Sequence, residues 1–117
     1  MQTVTESVNE LNGHILNGNI LGAFEKFYAD NVVVQENENE PAVGKVACRA
    51  NEEAFVGSMT AFRGAQVKHV LINDDIAVVQ WHFDYDHAQW GTRNYDQVAV
   101  QRWHNSQIVN EKFYYSR

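Results

Sequence analysis

The sequence predicts an α+β fold, with N-terminal helices packed against a long antiparallel sheet that curls around them. Three observations carry this. Apolar residues recur at helical spacing in three segments before Gly64. Four segments after it are rich in β-branched and aromatic residues. Short polar turns separate those four, as in consecutive hairpins. Runs of helices followed by runs of strands make an α+β domain, and a twisted sheet folded over helices can leave a cavity between the layers.

The first helix covers residues 3–17. Thr3 and Glu6 have the spacing of a capping box, and Val4, Val8, Leu11 and Ile15 fall on one face. "NGN" at 17–19 breaks it. A second short helix covers 20–28, with Leu21, Phe24 and Tyr28 on one side. A valine strand at 32–34 runs into "ENENEPAVGK", a loop by its polar residues, Pro41 and Gly44. A third helix is expected over 46–63, with Cys48, Phe55, Met59 and Phe62 sharing a face and Gly64 ending it. Strands follow near 66–72, 76–87, 92–103 and 108–116. "NDD" (73–75) and "HNSQ" (104–107) are the short turns, and Gly91 marks a longer one.

The 117 residues suffice for one core, so a single domain over 1–117 is expected, without repeat or linker. Hydrophobic residues make up 44%, which argues against disorder. A net charge of −6 with scattered basic residues excludes nucleic acid and an anionic membrane surface as expected partners. No segment reaches the roughly 18 apolar residues of a membrane span. "MQTVTESVNE" has no signal-peptide character, so a cytoplasmic location is expected. The single cysteine, Cys48, excludes an internal disulfide and reads as a small core residue rather than a nucleophile. No His, Asp, Glu or Cys spacing makes a metal site, and "ENENE" fails the calcium-loop pattern because Pro41 stands at its sixth position and Ala47 at its twelfth.

Glu36 is the first residue with possible chemistry. Val32, Val34 and Glu36 share one strand face, so Glu36 either ends an inward stripe or opens a solvated acidic loop with Glu38 and Glu40. "VVQWHFDYDH" (78–87) is the second stretch of interest. Gln80, His82, Asp84 and Asp86 lie on one face; Trp81, Phe83, Tyr85 and His87 lie on the other. Periodicity alone buries the aromatic row.

"LNGNILGAFEKFYADNVVVQENENEPAVGK" and the ending "VAVQRWHNSQIVNEKFYY" resemble the nuclear transport factor 2-like superfamily, which includes the ketosteroid isomerases and SnoaL-like polyketide cyclases. The resemblance covers nearly the whole chain. It implies a cone-shaped fold with an internal pocket for a small organic ligand, no cofactor, and a homodimer formed through the outer sheet face. It implies that Glu36 occupies the general-base position. It also implies the opposite register for 78–87, with Gln80, His82 and Asp84 lining the pocket and Trp81, Phe83 and Tyr85 turned outward under a partner. Glu36, His82 and Asp84 would then be the acid/base set, with His82 or the Trp103 indole as the partner of Glu36. Gln80, Gln101, Trp103, Glu111 and Phe113 would be the ligand-binding residues. Glu111 has the alternative of a surface carboxylate paired with Lys112 or Arg102. The other histidines, His14, His69, His87 and His104, read as solvated.

The departures are as informative. The oxyanion-hole donors of ketosteroid isomerases correspond here to Asn12 and Ala99, so that activity is not expected to carry over. Three functions remain: a cofactor-free isomerase, cyclase or dehydratase; a non-catalytic binding module; and an interaction protein that uses its aromatic face.

Overall fold

A computed structural model describes residues 2–116. Helix α1 (Val4–Leu16) opens on the expected capping box. The Thr3 hydroxyl accepts from the Glu6 N–H at 3.1 Å, and the Glu6 carboxylate accepts from the Thr3 N–H at 2.9 Å. Helix α2 (Ile20–Phe27) ends where Tyr28 turns extended, and strand β1 (Tyr28–Glu36) starts there, earlier than the valines alone suggest. A two-residue strand β2 (Ala42–Val43), unmarked in the sequence, pairs with β1. Helix α3 (Lys45–Ser58) precedes β3 (Met59–Asn73), β4 (Ile76–His87), β5 (Gly91–His104) and β6 (Gln107–Tyr115).

The third helix is shorter than expected. It stops at Ser58, and Met59 and Phe62 belong to β3. Gly57 and Ser58 weaken the helix there. The following residues gain a partner: Met59 pairs with His87 and Phe62 with Tyr85 of β4. Ladder formation overrides an apolar pattern that also fits a helix.

The strands form one sheet in the order β2-β1-β6-β5-β4-β3, with β1 parallel to β6 and the other pairs antiparallel. The β3–β4 ladder has three register shifts, between Met59 and Ala61, Phe62 and Gly64, and Val67 and His69. Each extra residue bends and twists its strand, and together they curl the sheet into a cone around the helices. The core lies in its concave side: Val8 and Leu11 of α1 and Phe24 and Phe27 of α2 pack with Val32, Val79, Trp103 and Ile108 of the sheet. Burying one such side chain is worth about 1.5–3 kcal/mol. Among the described residues no helix is long and apolar enough to cross a membrane.

The register of β4 follows plain periodicity. Trp81, Tyr85 and His87 are buried on the concave side. Gln80, His82 and Asp84 face outward, so the expectation that they line a pocket is corrected. Turning them inward would expose three large aromatic rings, and the sheet instead buries the rings and leaves the polar row in water. Cross-strand pairs hold that row. His82 Nδ1 lies 2.6 Å from an Asp96 carboxylate oxygen, and Arg63 donates to Asp84 and Asp86 at 2.9 Å each. The expected dimer face of Trp81, Phe83 and Tyr85 is corrected with it, because those rings already have partners inside the chain.

Candidate functional site

Between α3 and the concave sheet lies a cavity of about 740 Å³. This lies within the usual range for a small-molecule site, about 300–1,000 Å³. Its walls are largely aromatic: Phe24 and Tyr28 from the N-terminal side, Phe55 from α3, Trp81, Phe83 and Tyr85 from β4, and Tyr95 from β5. Four glutamates, Glu36, Glu40, Glu52 and Glu111, also face it.

Glu111 is the most deeply placed, with 2% exposure. The sheet order puts β6 between β1 and β5, and the register sets Glu111 opposite Val34 on one side and Gln101 on the other. Gln101 Nε2 donates to Glu111 Oε2 at 2.7 Å. The Trp103 indole N–H, two residues on and therefore on the same face, donates to Gln101 Oε1 at 3.1 Å. That bond fixes the amide orientation, since Gln101 must then point its NH₂ at the carboxylate. The Tyr28 hydroxyl donates to Glu111 Oε1. Burial pushes the Glu111 carboxyl up to about 7, against the lowering effect of the Tyr28 and Gln101 hydrogen bonds. Burial, with the charge of Glu111 behind it, holds the Tyr28 phenol well above its ordinary range.

Glu52 comes from α3, one turn after Cys48 and just before Phe55. Burial pushes its carboxyl up to about 7, followed by the charges of Glu111 and Glu36. Two carboxyls facing one apolar cavity and titrating near neutrality form a coupled pair able to hold or release a proton.

At the rim, Glu36 is exposed and accepts from the Tyr115 hydroxyl at 3.0 Å. Tyr115 takes the place expected for His82 or Trp103. The chain turns just after it, at Asn37, whose φ of 51° is the left-handed conformation asparagine tolerates. Asn37 Oδ1 accepts from the Tyr115 N–H at 2.9 Å, which ties this end of β1 to β6. Glu38 points away and pairs with Lys112 at 2.8 Å. On the far wall the Tyr85 and Tyr95 hydroxyls lie 3.0 Å apart, and burial holds the Tyr95 phenol above its ordinary 10. His87 is buried at 4% exposure, not solvated as its position near a turn suggests. Its ring stacks on Trp90 at 3.8 Å, and its Nδ1 accepts from the Gln89 N–H. Among the described residues no three His, Cys, Asp or Glu side chains cluster so as to hold a metal ion.

Of the residues singled out in the sequence, the structure brings Glu36, Gln101, Glu111 and Phe113 to the cavity. Trp103 is corrected to a position behind the wall, packed edge-on against Phe27, where it orients Gln101 rather than touching a ligand. Gln80, His82 and Asp84 lie on the other side of the sheet. Lys112 and Arg102, the surface partners considered for Glu111, pair with Glu38 and Asp75 instead. Sequence reasoning missed Glu52, Tyr28 and His87. The signal for Glu52 was present: it sits four residues after Cys48 and three before Phe55, an acid inside an apolar helical stripe.

This architecture is shared by many solved structures. A Mesorhizobium loti protein named as a SnoaL-like polyketide cyclase, with carbohydrate phosphatase as a second name, superposes with a TM-score of 0.86 at 24% identity, over 97% of this chain and 100% of the other. A Jannaschia protein of the same name gives 0.80 at 11% identity, over 96% and 86%. A Bacillus subtilis protein named as an isomerase gives 0.78 at 14% identity, over 96% and 85%. At these identities the likeness speaks for the fold. No curated protein sequence matches the chain significantly. The family model of the SnoaL-like domain matches residues 8–111. With nearly the whole chain covered and the cone-shaped fold in place, the chain belongs to the SnoaL-like domain family.

Proposed function

We propose that the chain is a cofactor-free acid/base enzyme of the isomerase, cyclase or dehydratase kind, acting on a small organic molecule in the aromatic cavity. The observation that carries this is Glu111, a carboxyl at the bottom of an apolar pocket, held in one orientation by Tyr28 and Gln101. A base suited to neutral pH has a pKa near 7. In the step envisaged, an ionised carboxylate of the Glu52–Glu111 pair takes a proton from a carbon next to a carbonyl. The electron pair moves onto the carbonyl oxygen, where the Tyr85–Tyr95 hydroxyl pair supplies a donor. The same carboxylic acid then returns the proton to another carbon, or to a departing hydroxyl. The names of the cyclase and isomerase neighbours agree with chemistry of this class.

One observation favours a second reading, a non-catalytic binding module. Both Glu111 oxygens already accept from protein donors, as in a purely structural network. The two readings separate in one experiment, NMR-detected solvent exchange of 2-tetralone in D₂O. Catalysed deuteration at its acidic carbon, lost in Glu111→Gln, supports the enzyme. Saturation transfer to 2-tetralone without catalysed exchange refutes it in favour of the binding module.

A further inference from the structure

The cavity is apolar in shape and acidic in charge. Against its four glutamates stands, among the described residues, one guanidinium, Arg93. That group is already engaged, donating to the Ser116 carbonyl at 3.1 Å and lying 4.4 Å over the Tyr95 ring. Glu52 is the opposite case. It is half-buried in the wall and has no hydrogen-bond or ion-pair partner among the described residues. Burying a carboxylate without a partner is costly, and a ligand that supplies the missing charge removes that cost. Phe55, Trp81 and Phe83 line the same cavity, and aromatic ring faces attract a cation through their quadrupoles.

We infer that the cavity takes a hydrophobic organic cation, a protonated or quaternary amine on an aromatic or alicyclic body, with its ammonium against Glu52 and Glu111. This rests on the cavity being the functional site, as argued above, and adds the chemical class of its occupant. Glu52 then serves as counter-charge, and the ammonium favours the ionised form of Glu111, which is the form a base needs.

Binding should be linked to proton release. Glu52 is faced by Glu36 from β1, by Glu111 from β6 with Tyr28 beside it, and by Cys48 from its own helix. Glu40, His87, Arg93 and the tyrosines at the walls complete the titratable set. If one carboxyl titrating at about 7 must ionise for the cation to bind, affinity rises on the order of tenfold between pH 6 and pH 8. His87→Gln, measured in parallel, identifies any share that belongs to the imidazole.

The test is calorimetric titration of the whole chain with three probes of similar size: benzyltrimethylammonium, its uncharged isostere neopentylbenzene, and the anion 3-phenylpropanoate. At pH 8 the cation should bind at least tenfold more tightly than the isostere, and the advantage should shrink about tenfold at pH 6. Glu52→Gln should cut the advantage at pH 8 at least several-fold; an advantage as large as that of the wild type overturns the role given to Glu52. Equal binding of cation and isostere to the wild-type chain overturns the inference, as does preference for the anion; neither result needs the variant to fold. If 2-tetralone exchange is catalysed while the cation has no advantage, the acid/base reading stands and this one fails. If no probe binds and no exchange occurs, both fail.

Discussion

Replacing Glu111 by glutamine should remove most of a pH-dependent instability built into the pocket. The folded chain holds this carboxyl at about 7, against an ordinary 4.5, because burial disfavours its charge. Between those values the folded state binds more protons than the unfolded one, so stability falls as pH rises. The loss begins above 4.5 and is complete above 7. Its full size is about 3 kcal/mol, most of which falls between pH 5 and pH 8. Glutamine matches the protonated form. Its oxygen can accept from Gln101, its NH₂ can donate to the Tyr28 oxygen, and the amide orientation enforced by Trp103 needs no change. The loss of charge also relieves Glu52, so the flattening should be at least this large. Urea unfolding followed by tryptophan fluorescence at pH 5, 6, 7 and 8 gives the comparison. Wild type should lose roughly 2–3 kcal/mol more than Glu111→Gln over this range. Parallel loss in the two proteins would show that Glu111 does not titrate there and would refute the reasoning.

Cys48 is buried, its Sγ lies 3.4 Å from the Ala42 carbonyl, and burial raises its thiol, followed by the charges of Glu52 and Glu111. Its reaction with a disulfide reagent at pH 8 should be roughly 10²-fold slower in the folded chain than in urea, and a free-thiol rate would contradict its placement. We also propose that the chain forms a homodimer through the outer sheet face, where Leu71, 68% exposed, neighbours Val78, Val100, Val98 and Tyr114 across three ladders. Wild type should sediment as a dimer at about 50 µM and Leu71→Asp should shift it towards monomer; a wild-type monomer at that concentration rejects the assembly.

The fold was legible in the sequence because each element repeats its own signal. Thr3 and Glu6 announce the first helix, Val32 and Val34 the first strand, and the "NDD" and "HNSQ" turns frame the long hairpins. The end of the third helix was not legible, since Cys48, Phe55, Met59 and Phe62 fit a helical face equally well whether or not the chain turns extended at 59. Only pairing with β4, remote in sequence, decides it. For the site, local periodicity was the better guide on β4. Counting from the turn by family likeness reversed the strand and led to His82 and Asp84. Parity succeeded on β6, where Glu111 alternates with Phe113. Glu52 escaped because a helical stripe is read from its apolar members, and an acid within it passes as an interruption.

The acids in the cavity make sense together rather than singly. A chain shaped only for stability gains nothing from a glutamate at position 111, since replacing a buried ionisable group by a well-packed apolar one is often neutral or stabilising. Yet the surroundings are arranged around its two oxygens. Trp103 gives up its indole N–H to orient Gln101, Gln101 turns its amide to the carboxylate, and Tyr28 leaves the end of α2 to meet the other oxygen. Glu52, by contrast, has no hydrogen-bond or ion-pair partner among the described residues. The proposed proton transfer and cation binding would use this pair: one carboxyl rigidly held, the other without a partner among the described residues, both facing the same apolar space and coupled by charge. On that proposal, the stability given up at position 111 lies where a bound ligand would return it.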